Sequence, residues 1–490
     1  MHEKVREKDC GTDAALSKLS CCFHYVRHNS IWTGWHSRHR GSKHESEKLF
    51  FCGNKFNVCS RSYSWTDRSN QSLQQVEKAR VVQVQSTNIS TGTDVVSTQY
   101  SFAGPAVMTI ARHQKSGTNT QTSVVLTQVT YDELGRVTKI EKKASNTKVN
   151  SGIMPSTWKT VSQSEYDALG LLKKKKLGTD PNITTNPLES LTYDYNIRGW
   201  LLGANRDYAK STSSTSNYFG FDLGYDKTSI TPSGGSSIGN YTASQYNGNI
   251  TGILWKSTGD QQIRKYDFTY DALNRLTGAD FNQYTSSAFN KTAGLDFSVT
   301  GLTYDANGNI LTMNQKGWKV TGNQTIDSLQ YNYYTNSNRL MNVIDRMNDV
   351  TTRLGDFRAS SAYMTSIGSK TTSTVDYTYD GNGNLSKDLN KDIGTSSTNG
   401  ITYNILNLPG TITVANKGTI SYVYDAGGNK LSKTTTEGSK VTTTLYMFGN
   451  YVKDTLQYLQ QEEGRIRYNT DSGKLEYENA IKCDHGSIQI

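Results

Sequence analysis

The chain has 490 residues, a net charge of +10 and a hydrophobic content of 34%. No stretch approaches the roughly 18 consecutive apolar residues of a membrane-spanning helix, and the polar residues 1–8 do not resemble a signal peptide. Most of the net charge lies in residues 1–80, so the remainder lacks the basic surface of nucleic-acid-binding proteins. We therefore predict no membrane span and no nucleic-acid partner.

Residues 1–79 form an atypical segment rich in cysteine and histidine. The gaps between His24 and His28 and between His36 and His39 would suit zinc, but no cysteine pair stands at a matching distance. We predict no metal site and no cofactor here, and interpret the segment as poorly ordered or as lying outside the natural reading frame. It holds Cys10, Cys21, Cys22, Cys52, Cys59, His2, His24, His28, His36, His39 and His44.

A tyrosine–aspartate pair recurs along residues 80–445. Before the copy at Tyr270 and Asp271, aromatic residues alternate with polar ones, which predicts a strand with one buried face. The Asp side chain can accept a hydrogen bond from the backbone two residues on, and the Gly or Asn that follows tolerates positive φ. Each copy is therefore predicted to be a β-hairpin. The turn residues of the strong copies are Tyr131, Asp132, Gly135, Tyr166, Asp167, Gly170, Tyr270, Asp271, Tyr304, Asp305, Gly308, Tyr379, Asp380, Gly383, Tyr424, Asp425 and Gly428.

Weaker copies lie at residues 193–201, 246–250, 331–340 and 403–408, where Asn replaces Asp or the turn is longer. The repeated carboxylates could instead line a catalytic or metal-binding site. Calcium-binding loops need several acidic residues each, whereas most of these turns carry one Asp. Local hydrogen bonding to the backbone therefore explains the repeated Asp better.

Composition predicts an all-β fold. Tyrosine and threonine favour strands, the chain has 30 tyrosines, and long runs of strong helix formers are rare. The low hydrophobic content favours a thin buried layer and a curved sheet with one solvated face. We predict repeated β-hairpins that form a long curled or spiralling sheet, preceded by the irregular N-terminal segment.

The repeated units resemble the YD repeats of RHS (rearrangement hotspot) proteins, most closely those of Bacteroidetes-type RHS repeat-associated core proteins. The resemblance covers residues 80–485. Residues 446–490 resemble a truncated entry to the RHS-associated core, and Asp484, His485 and Gly486 resemble the start of its Asp-His-Leu-Gly motif. The expected Leu is missing after His485, and the chain stops at Ile490, so we expect a fragment of a larger gene product.

The resemblance implies a hollow shell that encloses a C-terminal toxin polypeptide, or a module that is secreted or displayed at the cell surface. We predict a non-catalytic shell that encloses or presents another polypeptide. The alternative is a carbohydrate-binding adhesion module, in which Trp200 and Trp255 contact a surface glycan. A hydrolase is a third hypothesis, but it would need a carboxylate pair in a cleft.

Three further motifs have simpler explanations than catalysis or, for the lysine run, nucleic-acid contact. Residues 235–239 match the G-x-S-x-G nucleophile elbow, but a Ser/Gly loop surrounds them and the histidine that follows is His485. Glu462 and Glu463 could act as an acid pair, yet a solvated turn beside Arg465 and Arg467 is the simpler interpretation. The run of four lysines at residues 173–176 is interpreted as a protected strand edge.

Overall fold

The structure, a computed structural model, describes residues 80–179, 186–319, 322–347, 357–469 and 473–479, together with three short strands before residue 80. Within these residues the chain is all-β, apart from two short α-helices and one turn of 3-10 helix. The predicted all-β fold is therefore confirmed. The cysteines of the N-terminal segment, and Asp484, His485 and Gly486, lie outside the described residues, so the interpretations of these residues stay predictions.

The strands follow one another along the chain with few interruptions. The first group is β1 (Lys43–His44), β2 (Tyr63–Thr66), β3 (Ser72–Gln75), β4 (Val81–Thr87), β5 (Thr93–Tyr100), β6 (Ala106–Lys115), β7 (Gln121–Tyr131), β8 (Val137–Asn146), β9 (Lys159–Tyr166), β10 (Leu172–Leu177), β11 (Glu189–Tyr195), β12 (Leu201–Ala204), helix α1 (Arg206–Lys210) and β13 (Phe219–Gly224). The second group is β14 (Ser229–Ile230), β15 (Gly239–Asn240), β16 (Gly252–Ser257), β17 (Arg264–Tyr270), β18 (Leu276–Thr285), β19 (Ala288–Asn290), β20 (Val299–Tyr304), β21 (Ile310–Lys319), β22 (Gly322–Tyr333) and β23 (Leu340–Asp345). The third group is helix α2 (Ser361–Ile367), β24 (Tyr377–Tyr379), β25 (Leu385–Asp388), the 3-10 turn (Leu389–Lys391), β26 (Ile401–Tyr403), β27 (Pro409–Val414), β28 (Gly418–Tyr424), β29 (Lys430–Glu437), β30 (Lys440–Met447), β31 (Gly449–Val452), β32 (Thr455–Gln461), β33 (Gly464–Asn469) and β34 (Lys474–Asn479).

Nearly all strands pair antiparallel with their neighbours in sequence. Strands β1–β13 and β16–β23 form one sheet of 21 strands, and β26–β34 form a second of nine. The β24–β25 hairpin lies between them, and bridges from Ile393 to Asp388 and to Val414 connect it to the second sheet. Such a meander needs only short connections, because antiparallel neighbours can be joined by tight turns.

The same irregularity recurs where the tyrosine of a hairpin meets the returning strand. In the β7–β8 hairpin the register shifts between Thr130 and Tyr131, and in the β17–β18 hairpin between Thr269 and Tyr270. Equivalent shifts occur in the β5–β6, β11–β12, β20–β21, β22–β23, β24–β25, β26–β27 and β28–β29 hairpins. A β-bulge bends and twists its strand. A bulge repeated at one position therefore bends the strip in one direction.

The end of the strip returns to its beginning. The Nδ2 atom of Asn119, before β7, donates to the carbonyl oxygen of Asp454, before β32, at 3.0 Å. Residues 446–469 and 473–479, here called the closing segment, pack on β6, β7, β8 and β10. Val125 of β7 is one of the residues that the closing segment contacts. It lies six positions before Tyr131, and successive side chains of a strand point to opposite sides, so Val125 and Tyr131 lie on the same side of the sheet. We call this side the Tyr face. The strip therefore curls toward its Tyr face.

The other side of the sheet is also covered around β13, β16 and β17. Helix α1 and the connection between β13 and β16 bury a cluster of Ala209, Ile230, Tyr241, Leu254 and Ile263. In this part of the sheet the more deeply buried face is the one opposite the Tyr face, because Lys265 and Asp267 are buried and Tyr266 and Phe268 are half-buried. The aromatic pattern of β17 predicts the reverse, since long polar connections, not extra strands, supply the covering layer.

Candidate functional site

Each turn aspartate is a hydrogen-bond acceptor for its own turn. The Oδ1 atom of Asp271 accepts from the backbone N–H groups of Leu273 and Arg275, both at 2.9 Å, and its Oδ2 accepts from Arg275 Nε at 2.7 Å. Asn274 at the fourth position has φ of 64°, which an Asn tolerates. The same backbone bonds to Oδ1 occur at Asp132, Asp167, Asp305, Asp380, Asp425, Asn196 and Asn404.

The tyrosine of each hairpin connects it to the hairpin before. The Tyr270 hydroxyl donates to the carbonyl oxygen of Ile250 at 2.7 Å, and the Tyr304 hydroxyl donates to that of Leu276 at 2.5 Å. In each case the acceptor residue is the first residue of the second strand of the earlier hairpin, or lies just before that strand. The remaining pairs are Tyr100–Val81, Tyr131–Ala106, Tyr166–Val137, Tyr195–Leu172, Tyr225–Leu201, Tyr333–Ile310, Tyr379–Leu340, Tyr403–Leu385 and Tyr424–Pro409.

This pattern corrects the register of two weaker copies. The hydroxyl that contacts the preceding hairpin belongs to Tyr195 and Tyr333, not to Tyr193 and Tyr331. The Asx acceptor is correspondingly Asn196. Both segments contain tyrosines two residues apart on one strand face, so the residue pattern alone fits either register.

The last polar residue of the turn links neighbouring turns. In some turns this residue is an arginine whose guanidinium group lies over the tyrosine ring of the next hairpin. The guanidinium carbon of Arg136 lies 4.6 Å from the ring centroid of Tyr166, and the guanidinium carbon of Arg275 lies 4.6 Å from the ring centroid of Tyr304. In other turns it is an asparagine, and Asn309 donates both to its own Asp305 and to Asn338 of the next turn. The turns are therefore parts of a connected wall.

Removing one turn acceptor should loosen that turn selectively. In Asp271→Ala the backbone N–H groups of Leu273 and Arg275 lose their acceptor, so we expect faster amide hydrogen exchange at those two positions. Asp271→Asn should keep slow exchange, because Asn404 retains these bonds in its own turn. Exchange at the distant turn of Asp425 is the internal reference. Equal acceleration at both turns would contradict a local role.

Acid should weaken the turns through their aspartates. The pKa values of Asp132 and Asp271 are lowered chiefly by the backbone N–H four residues on, and those of Asp305 and Asp380 chiefly by the side-chain amide at that position. Each of these carboxyl groups has a lower pKa in the folded protein than its value of 3.8 in the unfolded chain. Its contribution to stability is therefore fully present above pH 3.8 and is lost as the pH falls through the pKa of the folded state.

We therefore expect the thermal unfolding temperature to drop on acidification below about pH 4. The variant Asp305→Asn/Asp380→Asn keeps an acceptor oxygen but cannot titrate, so it should lose less stability over the same range. Parallel curves for the two proteins would show that these turn carboxylates do not determine acid sensitivity.

The closing segment is held first by apolar packing. Tyr451, Leu459 and Ile466 are fully buried and form one cluster with Val125 of β7 and Ala144 of β8. Burial raises the pKa of Tyr451 to about 12. Two further residues complete the cluster, Met447 and Leu456. The contact thus resembles a small domain core built from residues more than 300 positions apart.

Charged pairs flank this cluster. Lys115 Nζ lies 2.9 Å from Asp454 Oδ1, and the Lys115 side chain is buried. Lys142 Nζ lies 2.9 Å from Glu462 Oε2, and Lys175 Nζ lies 2.6 Å from Glu463 Oε1. In all three pairs the first sheet supplies the cation and the closing segment supplies the carboxylate. The two surfaces are therefore electrostatically complementary.

A buried histidine lies at the same contact. His113 pairs through Nδ1 with Asp94 of the neighbouring strand. Its ring centroid lies 5.9 Å from that of Phe448 and 6.0 Å from that of Tyr451. The sequence interpretation placed no functional residue here, because nothing local to His113 or Lys115 indicates a partner so far along the chain.

These contacts overturn the interpretation of one charged motif and add partners to a second. The lysines at residues 173–176 do not mark a strand edge, because β10 pairs with β9 on one side and β11 on the other. Glu462 and Glu463 do form the turn between β32 and β33, and Glu462 is exposed, as expected. Their carboxylates pair with lysines of the first sheet, whereas Arg465 and Arg467 pair with Glu478. The lysine run and the glutamate pair carry opposite charges, and this was the feature of the sequence that could have indicated their contact.

The remaining predicted site residues lie apart from this contact. Trp200 packs against Tyr225 with ring centroids 5.4 Å apart, and Trp255 stacks on Tyr266 at 5.5 Å, so one face of each indole contacts protein. Glycan binding by either tryptophan stays a prediction. Ser237 lies between the two-residue strands β14 and β15, and its hydroxyl donates to Gly239 O at 2.9 Å. No helix follows it within the adjoining described residues, so the nucleophile-elbow geometry is absent there.

The described part of the chain contains neither a candidate membrane-spanning helix nor a metal-binding cluster. No helix in these residues is both long and apolar enough to cross a membrane. No group of three or more His, Cys, Asp or Glu side chains in the same residues is arranged to hold a metal ion.

Comparison with known proteins gives weak likenesses. A crystal structure of TcdB2-TccC3-TEV aligns with 85% of this chain and 22% of its own, at 12% identity and a TM-score of 0.30. The Photorhabdus luminescens Tc holotoxin pore aligns with 84% of this chain and 26% of its own, at 11% identity and a TM-score of 0.24. A porin-like protein from Bacteroides uniformis aligns with 71% of this chain and 93% of its own, at 10% identity and a TM-score of 0.16.

This chain spans about a quarter of the length of the first two of these chains. At such TM-scores none of the alignments carries an argument about fold or activity. The sequence matches no protein-family model and no curated protein.

Proposed function

We propose that the chain is the non-catalytic wall of a β-shell that encloses or presents another polypeptide, secreted or displayed at the cell surface. The observation that supports this proposal is the return of the closing segment onto the Tyr face of the first strands. A strip that bends toward one face and is fixed at its end has an inner side. The resemblance of its units to RHS repeats points to a polypeptide, a toxin in that family, as the occupant.

The proposal that the wall has no catalytic activity rests on the state of the repeated carboxylates. Each turn aspartate accepts two backbone bonds within its own turn, and several also bond an Arg or Asn side chain. Turn aspartates committed in this way orient the backbone and are not free to act as a catalytic pair. A glycosidase would need two carboxyl groups that face each other across a substrate.

A protease-protection experiment tests enclosure. An unstructured reporter peptide is fused after Ile490 of the full chain, and its cleavage is compared with that of the free peptide. We expect slower cleavage in the fusion. Lys142→Glu/Lys175→Glu should restore fast cleavage, because two pairs of the closing segment become repulsive and proteolysis follows the population of open molecules.

The matched control is Lys148→Glu/Lys227→Glu, which makes the same charge change on two exposed lysines that do not belong to the three pairs. This variant should protect the reporter as well as the unmodified chain does. Adding Glu462→Lys and Glu463→Lys to the first variant should recover protection. Reporter cleavage as fast in the fusion as in free solution would overturn the enclosure proposal.

A further inference from the structure

Six consecutive hairpin positions each expose a large apolar side chain at the tip of the turn. Their exposed fractions run from 70% to 104%, although buried neighbours lie only a few residues away. We call these side chains the tip row. It consists of Phe102, Leu134, Leu169, Ile197, Tyr246 and Leu273. The position of Tyr246 in the row follows from Arg198, which donates to its carbonyl oxygen, and from Asn247, which donates to Asn274.

The hairpin fold does not require apolar residues at these tips. The backbone N–H of Leu273 donates to Asp271 at 2.9 Å, and in later turns the equivalent N–H groups of Asn307 and Asn382 make the same bond at the same length. A polar residue therefore serves the turn equally well. Ile405 is the exposed apolar tip of one later hairpin, but its neighbouring turns carry Asn382 and Gly427. Among the hairpins that the structure describes, a continuous apolar row exists only in the first half of the strip.

We propose that the tip row is a self-association surface whose occupant is a second copy of this chain. Neighbouring hairpins of a sheet lie two strand spacings apart, or roughly 10 Å, so the row extends over roughly 50 Å. The tip row of a second copy has the same spacing between side chains, so the two rows can contact each other along their whole length. Six exposed side chains of this size supply an area on the order of the roughly 800 Å² that each partner contributes to a stable interface. Large exposed apolar patches mark such interaction sites.

Charge and shape favour an antiparallel, two-fold arrangement of the two rows. Exposed Glu133 adjoins the second tip, and exposed Arg198 lies between the fourth and fifth tips. Two-fold symmetry pairs the second tip with the fifth, so Glu133 approaches Arg198 of the partner subunit. An open groove of about 770 Å³ beside the first two tips, lined in part by Ala103, Pro105 and Met108, can receive an apolar side chain.

Sedimentation velocity of the full chain over a wide concentration range tests this inference. We expect a dimer that Leu134→Asn/Leu169→Asn/Leu273→Asn converts to a monomer, with unchanged circular dichroism and thermal unfolding. Asparagine is chosen because later turns carry it at this position. The control Ile153→Asn/Val441→Asn, at exposed apolar sites outside the row, should stay dimeric.

A charge swap tests the proposed orientation. Glu133→Arg should weaken the dimer, and the added change Arg198→Glu should restore it. A wild-type chain that is monomeric throughout, or a folded triple tip variant that dimerises like wild type, would overturn the inference. The inference does not rest on the proposed enclosure, since protection of the reporter peptide depends on the closing segment and dimerisation on the tip row.

Discussion

Replacement of Tyr451 by alanine is expected to release the closing segment. Tyr451 is fully buried at the centre of the cluster that joins β31–β33 to β7 and β8. Loss of a large buried aromatic side chain typically costs about 3–5 kcal/mol of stability. Because repeat arrays are stabilised mainly by contacts between neighbours, this loss should fall on the closing segment and on the strands it covers.

Amide hydrogen exchange measures this effect directly. In Tyr451→Ala, the amides of β31–β33 should exchange much faster, while those of β17 and β18 should keep their wild-type rates. The matched variant Tyr451→Phe keeps the ring and removes only the hydroxyl, so we expect a change of about 1 kcal/mol or less. Uniform acceleration throughout the chain, or equal effects of the two variants, would contradict this account of the cluster.

Charge reversal at Lys115 is expected to have a comparable effect. The Lys115 ammonium is buried, lies 2.9 Å from Asp454 and also donates to the carbonyl oxygen of Thr118. Lys115→Glu would place a buried carboxylate beside Asp454 with no cation between them. An uncompensated buried charge costs up to about 3–5 kcal/mol, and solvent at Asp454, whose side chain is 40% exposed, lowers this cost. We expect the effect as a lower urea midpoint for unfolding of the closing segment.

Two further variants separate the pair from general charge effects. Lys115→Glu/Asp454→Lys restores opposite charges and should recover part of the lost stability. Lys139→Glu reverses a lysine in a more exposed pair with Glu141, where a surface ion pair contributes only about 0–1 kcal/mol. If Lys139→Glu destabilised the closing segment as much as Lys115→Glu, the buried pair would not be a specific contact.

The hairpins could be predicted from the sequence because their determinants are local. An aspartate, its two backbone donors and the residue that takes positive φ all lie within five positions, as in the turn from Asp271 to Arg275. The period-two pattern before Tyr270 likewise separates the two faces of β17. It does not show which face is buried more deeply, since Lys265 and Asp267 are buried and Tyr266 is half-buried. Where two tyrosines on one strand satisfy the same pattern, as at Tyr193 and Tyr195, the pattern does not decide the register.

The closure could not be predicted in the same way. Asn119 and Asp454 are 335 positions apart, and the direction of curling follows from bulges repeated over the whole strip. The charge runs at residues 173–176 and 462–463 were visible in the sequence. Each run was interpreted alone, and pairing them required knowledge of which strands meet. The exposed side chains of the tip row likewise became a pattern only once the turns were aligned along one edge.

Zero-length carbodiimide crosslinking of the unmodified chain, followed by mass spectrometry, tests the closure most directly. The reagent joins a lysine to a carboxylate only when the two are in contact. We expect crosslinks within the first sheet, Lys139–Glu141 and Lys176–Glu165. We also expect the long-range crosslinks Lys115–Asp454, Lys142–Glu462 and Lys175–Glu463. Recovery of the first set without any of the second would contradict the return of the strip onto its own first strands.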